Sequence, residues 1–352
     1  MTSRPTLPEL SSSNVPLPTG ADRQLYTPAI NQLATIATPP TLQRHLALGQ
    51  TLRLVRMWPQ SATELAVCYA DASGQQVVGQ WFADAAAREK CARRTARAVG
   101  DQYAHWLCEI PAHNLLLQAQ GVDRELPGLA TLAGHPDSEI IVHRPHRRGV
   151  VRLRNWAQHA HESPAPVTYA KAVRPRQASA LAAAMRQIHA QTSPTDASAR
   201  PAGFITPAVL DVDATNGTIV LAPLPGRPLL AWYATRQLPQ AAHAAGSALR
   251  ALHDLALPGD IAPHDADAEV GVLTKWFARL ATIAPTLPQA WTRHLDCIAS
   301  ELRLTTSAPV LLHRDFYDKQ VFIQATSPNT APTPSQTGIG QVGILDFDTL
   351  AR

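Results

Sequence analysis

Two segments near the end of the chain place oxygen-bearing side chains directly after apolar runs. In the first, APVLLHRDFYDKQVFI, an apolar run leads to Asp315, and Gln320 follows five residues later, before a second apolar run. In the second, QVGILDFD, a short apolar run delivers Asp346 and Asp348 at its end. Short apolar runs predict buried strands, so we expect Gln320 and Asp346 to lie on the two strands of a hairpin.

Side chains of these types suit phosphoryl transfer. That reaction needs an acceptor hydroxyl oriented by a carboxylate, and metal ions held against the phosphates by other oxygen ligands. Asp315, on a loop, suits the first role. Gln320 and Asp346 suit the second, and Asp348 is a candidate for a second metal ligand. Asp315 alone could be only a turn or cap residue, but its order with Asp346 favours the catalytic interpretation.

Two neighbours of Asp315 are expected to have lesser roles. His313 is predicted to brace the loop, because the carboxylate two residues later is the better-placed base. Asp318 is predicted to be a solvated loop acid and not a ligand.

The motifs HRDFYDKQ and ILDFD resemble the catalytic loop and the metal-binding segment of the aminoglycoside-phosphotransferase-like branch of the protein-kinase-like superfamily. The resemblance covers roughly residues 139–352. It implies an α+β fold of two lobes: a five-stranded antiparallel N-lobe with one helix at roughly 139–226, and an incomplete helical C-lobe at roughly 227–352. It also implies ATP and Mg²⁺ as cofactors. The acceptor would be the hydroxyl of a small polar molecule, such as a sugar, an amino alcohol or an aminoglycoside-like compound.

The resemblance extends upstream in the expected order. Lys171 in VTYAKAVRP resembles the strand lysine that steadies the α- and β-phosphates of ATP. Without that context it would be a solvated lysine on an edge strand. The segment Leu221 to Gly226 resembles the interlobe hinge, whose backbone meets the adenine, so Pro223 and Leu224 are implied as nucleotide contacts.

The turn RPHRRG stands where the family has its nucleotide-covering loop, but it lacks the glycine-rich pattern. It offers Arg144, Arg147 and Arg148 instead. Arginine binds phosphate oxygens bidentately, so Arg147 and Arg148 are candidate nucleotide ligands. A solvated basic hairpin explains the turn equally well, and the sequence leaves both interpretations open.

Three features depart from the family pattern. Gln320 stands where Asn is usual, which keeps the amide oxygen but moves it one methylene further out. The helix after Lys171 contains no Glu to pair with the ammonium. The family continues beyond the DFD segment with a Gly-Asp-Pro-like turn and several helices, whereas this chain ends at Arg352. The resemblance therefore implies a C-terminally truncated chain with an exposed apolar patch, and it leaves the activity of this chain open.

Hydrophobic periodicity predicts the elements that position these residues. Three strands are predicted in EIIVH, GVVRLRN and PVTYAKAV, and in the second of them Val151 and Leu153 alternate with arginines. A helix is predicted in RQASALAAAMRQIHAQ, followed by two strands in ITPAVLDV and GTIVLAPL that are joined by a turn at Asn216 and Gly217. This is the order of a five-stranded antiparallel lobe with one helix. Helices are also predicted in AAHAAGSALRALHDL, KWFARLATI and AWTRHLDCIASELRL. A Pro/Ser/Thr-rich loop, ATSPNTAPTPSQTG, separates the last two strands and is expected to be mobile.

A small α+β cap is predicted ahead of this region, at roughly residues 45–138. A β-hairpin is indicated by ELAVCYA, a turn at Asp71 to Gly74, and QQVVGQWF. The stretch from Asp84 to Trp106 has helical spacing. Residues 1–44 are rich in Pro, Ser and Thr and are expected to form a loosely ordered lead-in with at most one short helix.

Composition narrows the class of protein. The chain has 31 Lys and Arg against 27 Asp and Glu, a net charge of +4, which suits anionic ligands but falls short of the dense basic stripe of a nucleic-acid binder. The N-terminus lacks an apolar signal region, and no stretch reaches transmembrane length. We therefore predict a cytoplasmic protein with no nucleic-acid or membrane partner. The four scattered cysteines favour a reducing compartment over a zinc site.

Two rival functions remain open from the sequence. A catalytically inactive kinase-like protein would bind nucleotide or serve as a scaffold. It is favoured by the missing acidic partner of Lys171 and by the missing C-terminal helices that the resemblance implies. It is opposed by the retention of both Asp315 and Asp346. A basic RNA-associated protein rests on the arginine hairpin alone, without interleaved aromatic residues.

Overall fold

The computed structural model describes residues 33–61, 63–100, 106–154, 167–193, 203–256, 261, 263–283, 287–304, 308–325 and 338–351. The strands form a six-stranded, a five-stranded and a three-stranded sheet. Every pairing between the named strands is antiparallel.

The six-stranded sheet is built from β1 (Thr35–Ala37), β2 (Thr51–Ser61), β3 (Glu64–Ala70), β4 (Gln76–Phe82), β5 (Leu107–Ile110) and β6 (Leu115–Ala119). Its order is β1-β2-β3-β4-β6-β5. Strands β3 and β4 form the hairpin predicted from the sequence. Asp71 stabilises the turn, because its carboxylate accepts hydrogen bonds from the backbone N–H groups of Ser73 (2.9 Å) and Gln75 (3.0 Å).

Two helices cover opposite faces of this sheet: α1 (Pro40–Leu46) and α2 (Ala85–Val99). Helix α2 begins after Asp84, whose carboxylate accepts hydrogen bonds from the first-turn N–H groups of Ala86 and Ala87. Strand β1 and most of α1 lie within the range expected to be loosely ordered. Leu33, Ile36 and Leu42 are buried against the sheet, and this apolar contact orders the chain before residue 45. Residues 1–32 lie outside the described ranges.

The five strands predicted around Lys171 form one sheet, with β7 (Ser138–Arg144), β8 (Arg148–Arg154), β9 (Val167–Ala172), β10 (Val209–Asp213) and β11 (Thr218–Leu221). The order is β10-β11-β9-β8-β7. Val151 and Leu153 are buried, whereas Arg152 and Arg154 are not, as the period-two pattern predicted.

Helices α3 (Pro127–Ala133) and α4 (Pro175–Thr192) cover the two faces of this second sheet. On one face, Leu129 and its neighbours in α3 pack against Val151 and Leu153. On the other, Ala178 and Ala182 of α4 pack against Ile219. Helix α3 lies within the range assigned to the cap, yet its apolar side is buried on the five-stranded sheet. Packing therefore extends the second unit upstream of residue 139.

The three-stranded sheet consists of β12 (Arg227–Pro228), β13 (Val321–Ala325) and β14 (Ile339–Ile344). Three helices precede β13 in the chain: α5 (Leu238–His253), α6 (Ala266–Ile283) and α7 (Leu287–Leu304). Ile188 of α4, Leu252 of α5 and Ile323 of β13 share one core, so α4 packs against both the five-stranded sheet and the region that carries the motifs. Residues 326–337, the loop expected to be mobile, lie outside the described ranges.

Candidate active site

Asp346 follows β14, and three side chains from other elements contact its carboxylate. Lys171 of β9 donates from Nζ to Oδ1 at 2.6 Å. Gln320, just before β13, donates from Nε2 to Oδ2 at 2.8 Å, and Arg148, at the start of β8, donates from Nη1 to the same oxygen. The Asp346 side chain is only 11% exposed. The structure thus brings together Lys171, Gln320 and Asp346, which the sequence assigned to one site.

Asp348 shares the two cations with Asp346. Its carboxylate accepts hydrogen bonds from Lys171 Nζ and from Arg148 Nη1, the latter at 3.2 Å. Asp346 has a left-handed backbone conformation with φ of 67°, and the 3₁₀ turn Phe347–Thr349 follows it. Phe347 is buried and anchors this turn, so that both carboxylates face the same pair of cations.

These charges control the protonation of Asp346. Burial raises the pKa of its carboxyl, but the positive charges of Lys171 and Arg148 lower that pKa by more, to about 2. Burial lowers the pKa of the Arg148 guanidinium, and the carboxylates of Asp346 and Asp348 raise it by more, so the net direction is upward. Asp346 and Arg148 are therefore both ionised at neutral pH.

His313 joins the loop that carries Asp315 to the segment that carries Asp346. Its Nε2–H donates to the carbonyl oxygen of Leu345 at 2.7 Å, and its Nδ1 accepts from the backbone N–H of Asp315 at 3.3 Å. Burial lowers the pKa of the imidazole, against the opposing effect of the bond to Leu345. His313 is therefore a neutral brace, the role expected from the sequence.

Asp315 lines a cavity of about 730 Å³. This cavity lies between the tip of the β7–β8 hairpin, the start of α4 and residues 347–350. The residue before it, Arg314, has a left-handed backbone with φ of 63°. Among the described residues, none donates a hydrogen bond to the Asp315 carboxylate. The carboxylate is thus available to a ligand in the cavity.

Asp123 anchors the hairpin tip that carries Arg147 and Arg148. No pattern in the sequence indicated a role for this residue. Asp123 is fully buried and accepts hydrogen bonds from His143 Nε2 (3.1 Å) and from the backbone N–H of His146 (2.7 Å). His143 Nδ1 accepts from a backbone N–H, which places the imidazole proton on Nε2. Burial raises the pKa of Asp123, and the hydrogen bonds from the two histidines lower it far below its usual range.

Asp123 and His143 are 20 positions apart, and they meet only because α3 packs on the second sheet. No local pattern in the sequence indicates this contact. The basic hairpin is therefore not simply solvated: Arg148 is turned inward to Asp346, and the tip is tied to a buried carboxylate. Arg147, by contrast, is exposed at the rim of the cavity.

Pro223 and Leu224 lie in the link between β11 and β12. Leu224 packs over Gly343 of β14, where an added Cβ would lie 2.8 Å from Leu224 Cδ1. Pro223 is exposed. Neither residue lines the cavity beside Asp315, so the structure places them apart from that cavity, on the link that joins the two sheets.

The residues proposed for a metal supply suitable donor atoms. Gln320 offers an amide oxygen, and Asp346 and Asp348 offer carboxylates that converge on the same two cations. Mg²⁺ prefers such hard oxygen donors and is usually bound by one or two carboxylates together with substrate phosphates, so this set fits the ion. In the described part of the chain, no group of three or more His, Cys, Asp or Glu side chains is suited to hold a metal by itself.

Comparisons with solved structures find small-molecule phosphotransferases and kinases. The ternary complex of streptomycin, ATP and APH(2")-IIa is 12% identical, with 63% of this chain and 69% of that chain covered and a TM-score of 0.39. Macrolide 2'-phosphotransferase MphH from Brachybacterium faecium, as the apoenzyme, is 18% identical, with 63% and 71% covered and a TM-score of 0.39. A glucosamine kinase is 15% identical, with 90% and 71% covered and a TM-score of 0.29.

These neighbours are enzymes of the kind that the sequence motifs resemble. No protein-family model and no curated protein matches the chain. Over the residues that the structure describes, no helix is both long enough and apolar enough to cross a membrane.

Proposed function

We propose that this protein is an ATP-dependent phosphotransferase that phosphorylates a hydroxyl of a small polar molecule. One observation carries the proposal: Lys171, Arg148 and Gln320 converge on the buried carboxylate of Asp346, beside a loop that presents Asp315 to a cavity. Cations and oxygen ligands on one side and a carboxylate on the other are the two requirements of phosphoryl transfer.

On the nucleotide side, Lys171 and Arg148 would exchange their carboxylate partners for phosphate oxygens of ATP, with Arg147 at the rim. The backbone of the link at Pro223 and Leu224 would meet the adenine. Gln320, Asp346 and Asp348 would hold Mg²⁺, which when bound neutralises charge on the phosphate oxygens.

On the acceptor side, Asp315 orients the hydroxyl and takes its proton. The acceptor oxygen bonds to the γ-phosphorus as the bond from that phosphorus to the bridging oxygen breaks, so ADP leaves and the proton passes from Asp315 to water. His313 keeps the loop in place and remains neutral. This division of roles is supported by the contacts of His313, because both of its ring nitrogens are already engaged: Nε2 with the carbonyl oxygen of Leu345 and Nδ1 with the backbone N–H of Asp315.

An inactive nucleotide-binding protein is the second candidate. It is favoured by the two cations that neutralise Asp346 and Asp348, because their ion pairs must open before a metal reaches the carboxylates. Binding of Mg²⁺ and ATP without ADP release for any acceptor would support this alternative.

The test is ADP release across sugars, sugar phosphates, sugar acids, amino alcohols and aminoglycosides, with Asp315→Asn beside the unmodified protein. We expect release with at least one acceptor class and a loss of about 100-fold or more in the variant. Asp318→Asn, which changes the same charge three residues away, is the matched control and should keep its activity. If Asp315→Asn folds and matches the unmodified protein, the catalytic assignment is wrong.

A further inference from the structure

The cavity beside Asp315 is unusually rich in arginine. It is bounded by the hairpin tip, the first turns of α4 and the segment after Asp346. Gln60 of β2, in the six-stranded sheet, also lines it. The charged residues of its lining are Arg144, Arg147, Arg148, Arg174, Arg176, Asp315 and Asp348. Five arginines and two aspartates thus contribute to the lining.

Several of these charges are already compensated within the protein. Arg148 is paired with Asp346 and Asp348, and Arg174 lies 3.6 Å from Glu125. Arg144 and Arg176 differ: within the described ranges, neither has a carboxylate partner. They come from separate elements, the end of β7 and the first turn of α4, and both line the cavity.

The start of α4 adds to this positive potential. The helix is 18 residues long, begins with Pro175, and has no acidic residue in its first turn. The partial positive charge of a helix N-terminus favours an anion, and no acidic residue in the first turn of α4 compensates that charge. Arg174, which precedes the helix, and Arg176 and Gln177 of its first turn line the cavity.

Concave arginine clusters favour one class of ligand. Like charges held together repel each other, and a bound phosphate or carboxylate relieves that repulsion through bidentate, charge-assisted hydrogen bonds. A cationic acceptor would increase the repulsion. Of the residues proposed to hold ATP, Arg147 and Arg148 line this cavity, whereas Lys171, Pro223 and Leu224 do not. The cavity therefore meets the nucleotide site at these two arginines and extends from there to Arg176 of α4.

We propose that the acceptor is an anion: a hydroxylated small molecule that already carries a phosphate or carboxylate group. Arg144 and Arg176 hold the anionic group, and the hydroxyl of the same molecule lies at Asp315. This inference rests on the proposed phosphotransfer for the role of Asp315, but the anion site itself can be tested without turnover.

The first experiment measures binding to the full chain without nucleotide, by isothermal titration. The probes are paired compounds that differ in charge, glucose 6-phosphate and gluconate against glucose, together with inorganic phosphate. We expect at least one anionic probe to bind about 10-fold or more tightly than glucose. If no anionic probe binds more tightly than glucose, the proposal is overturned.

The second experiment assigns that binding to the cavity. Arg176→Gln should weaken the binding of the anionic probe about 10-fold, because one charge-assisted contact is lost. Arg186→Gln removes the same charge from the same helix, but outside the cavity lining, and should bind the probe as the unmodified protein does. Equal binding by both variants would overturn the assignment. Arg144→Gln, on the hairpin, provides an independent second variant if Arg176→Gln fails to fold.

Measurements of ATP affinity distinguish the proposed anion site from the site of the nucleotide phosphates. Arg176→Gln should leave the affinity for ATP unchanged. Lys171→Met should weaken ATP binding and leave the binding of the anionic probe unchanged. If Arg176→Gln weakens ATP binding as much as it weakens probe binding, the cavity binds nucleotide phosphates and the acceptor proposal is wrong. If the probe binds as predicted but no acceptor supports ADP release, phosphotransfer fails while the anion site stands.

Discussion

The ammonium nitrogen of Lys171 lies 2.6 Å from Oδ1 of Asp346, although the two residues are 175 positions apart in the chain. Lys171 also pairs with Asp348. The partner that the helix after Lys171 does not supply therefore comes from the segment after β14. This ion pair joins the five-stranded sheet to the three-stranded sheet, and its side chains are only 6% and 11% exposed.

The pKa of Asp346 should depend on Lys171. The folded pKa of about 2 lies below the ordinary 3.8, so the ionised carboxylate stabilises the fold above about pH 4, and this stabilisation is lost as the pH falls toward 2. Lys171→Met removes one of the two positive charges that lower the pKa of Asp346, whereas burial still raises it. The pKa of Asp346 should therefore rise toward or above 3.8. Carboxyl NMR titration measures the midpoint. Lys275→Met, at an exposed site of α6, should leave it unchanged; an unshifted midpoint in Lys171→Met would contradict the ion pair.

Arg148 should contribute to ATP affinity. Its side chain is 12% exposed, and its guanidinium contacts the two carboxylates, so under the proposed function it is placed to bind phosphate oxygens. Arg148→Gln should weaken Mg²⁺-ATP binding about 10-fold, as expected for a lost charge-assisted contact. Arg152→Gln on the same strand, where the arginine pairs with Glu139, is the control. Tighter binding in Arg148→Gln would instead show that Arg148 blocks the site.

Gly226 should be intolerant of a side chain. Its φ is +90°, and a Cβ there would lie 2.4 Å from the carbonyl oxygen of Ile323 in β13. Gly226→Ala should lower the free energy of unfolding by more than about 1 kcal/mol, because both backbone strain and a backbone clash are introduced. Gly246→Ala, in α5 with no atom within 4 Å, should raise it by roughly 0.5–1 kcal/mol. Urea denaturation measures both, and changes of the same sign would contradict the reasoning.

Asp123 should hold the arginine hairpin in place. Removing a buried charge that accepts several hydrogen bonds costs about 3–5 kcal/mol, and we expect Asp123→Asn to lose stability in that range. The backbone N–H of His146 loses its charged acceptor, so hydrogen exchange should accelerate at residues 146–149. Asp137→Asn, an exposed acid in the turn before β7, should behave as the unmodified protein. Unchanged exchange in Asp123→Asn would mean that the hairpin is held by other contacts.

Local patterns predicted the elements and the order of the motif residues. The alternation of Val151 and Leu153 with arginines predicted β8, and the turn at Asn216 and Gly217 lies between β10 and β11 as expected. Such patterns succeed because strand periodicity and turn chemistry depend on a few neighbouring residues. The grouping of Gln320 with Asp346 was also predictable, since they flank a single hairpin.

Contacts between distant segments were decided only by the tertiary structure. The sequence led us to assign Lys171, Asp315, Gln320, Asp346 and Asp348 to one proposed chemistry. It did not indicate that Lys171 and Arg148 pair directly with both Asp346 and Asp348. It did not place α3 on the second sheet, tie Asp123 to the hairpin, or gather arginines from β7 and α4 into one cavity. Those arrangements depend on how apolar faces far apart in the chain are buried against each other, and no local pattern encodes that choice.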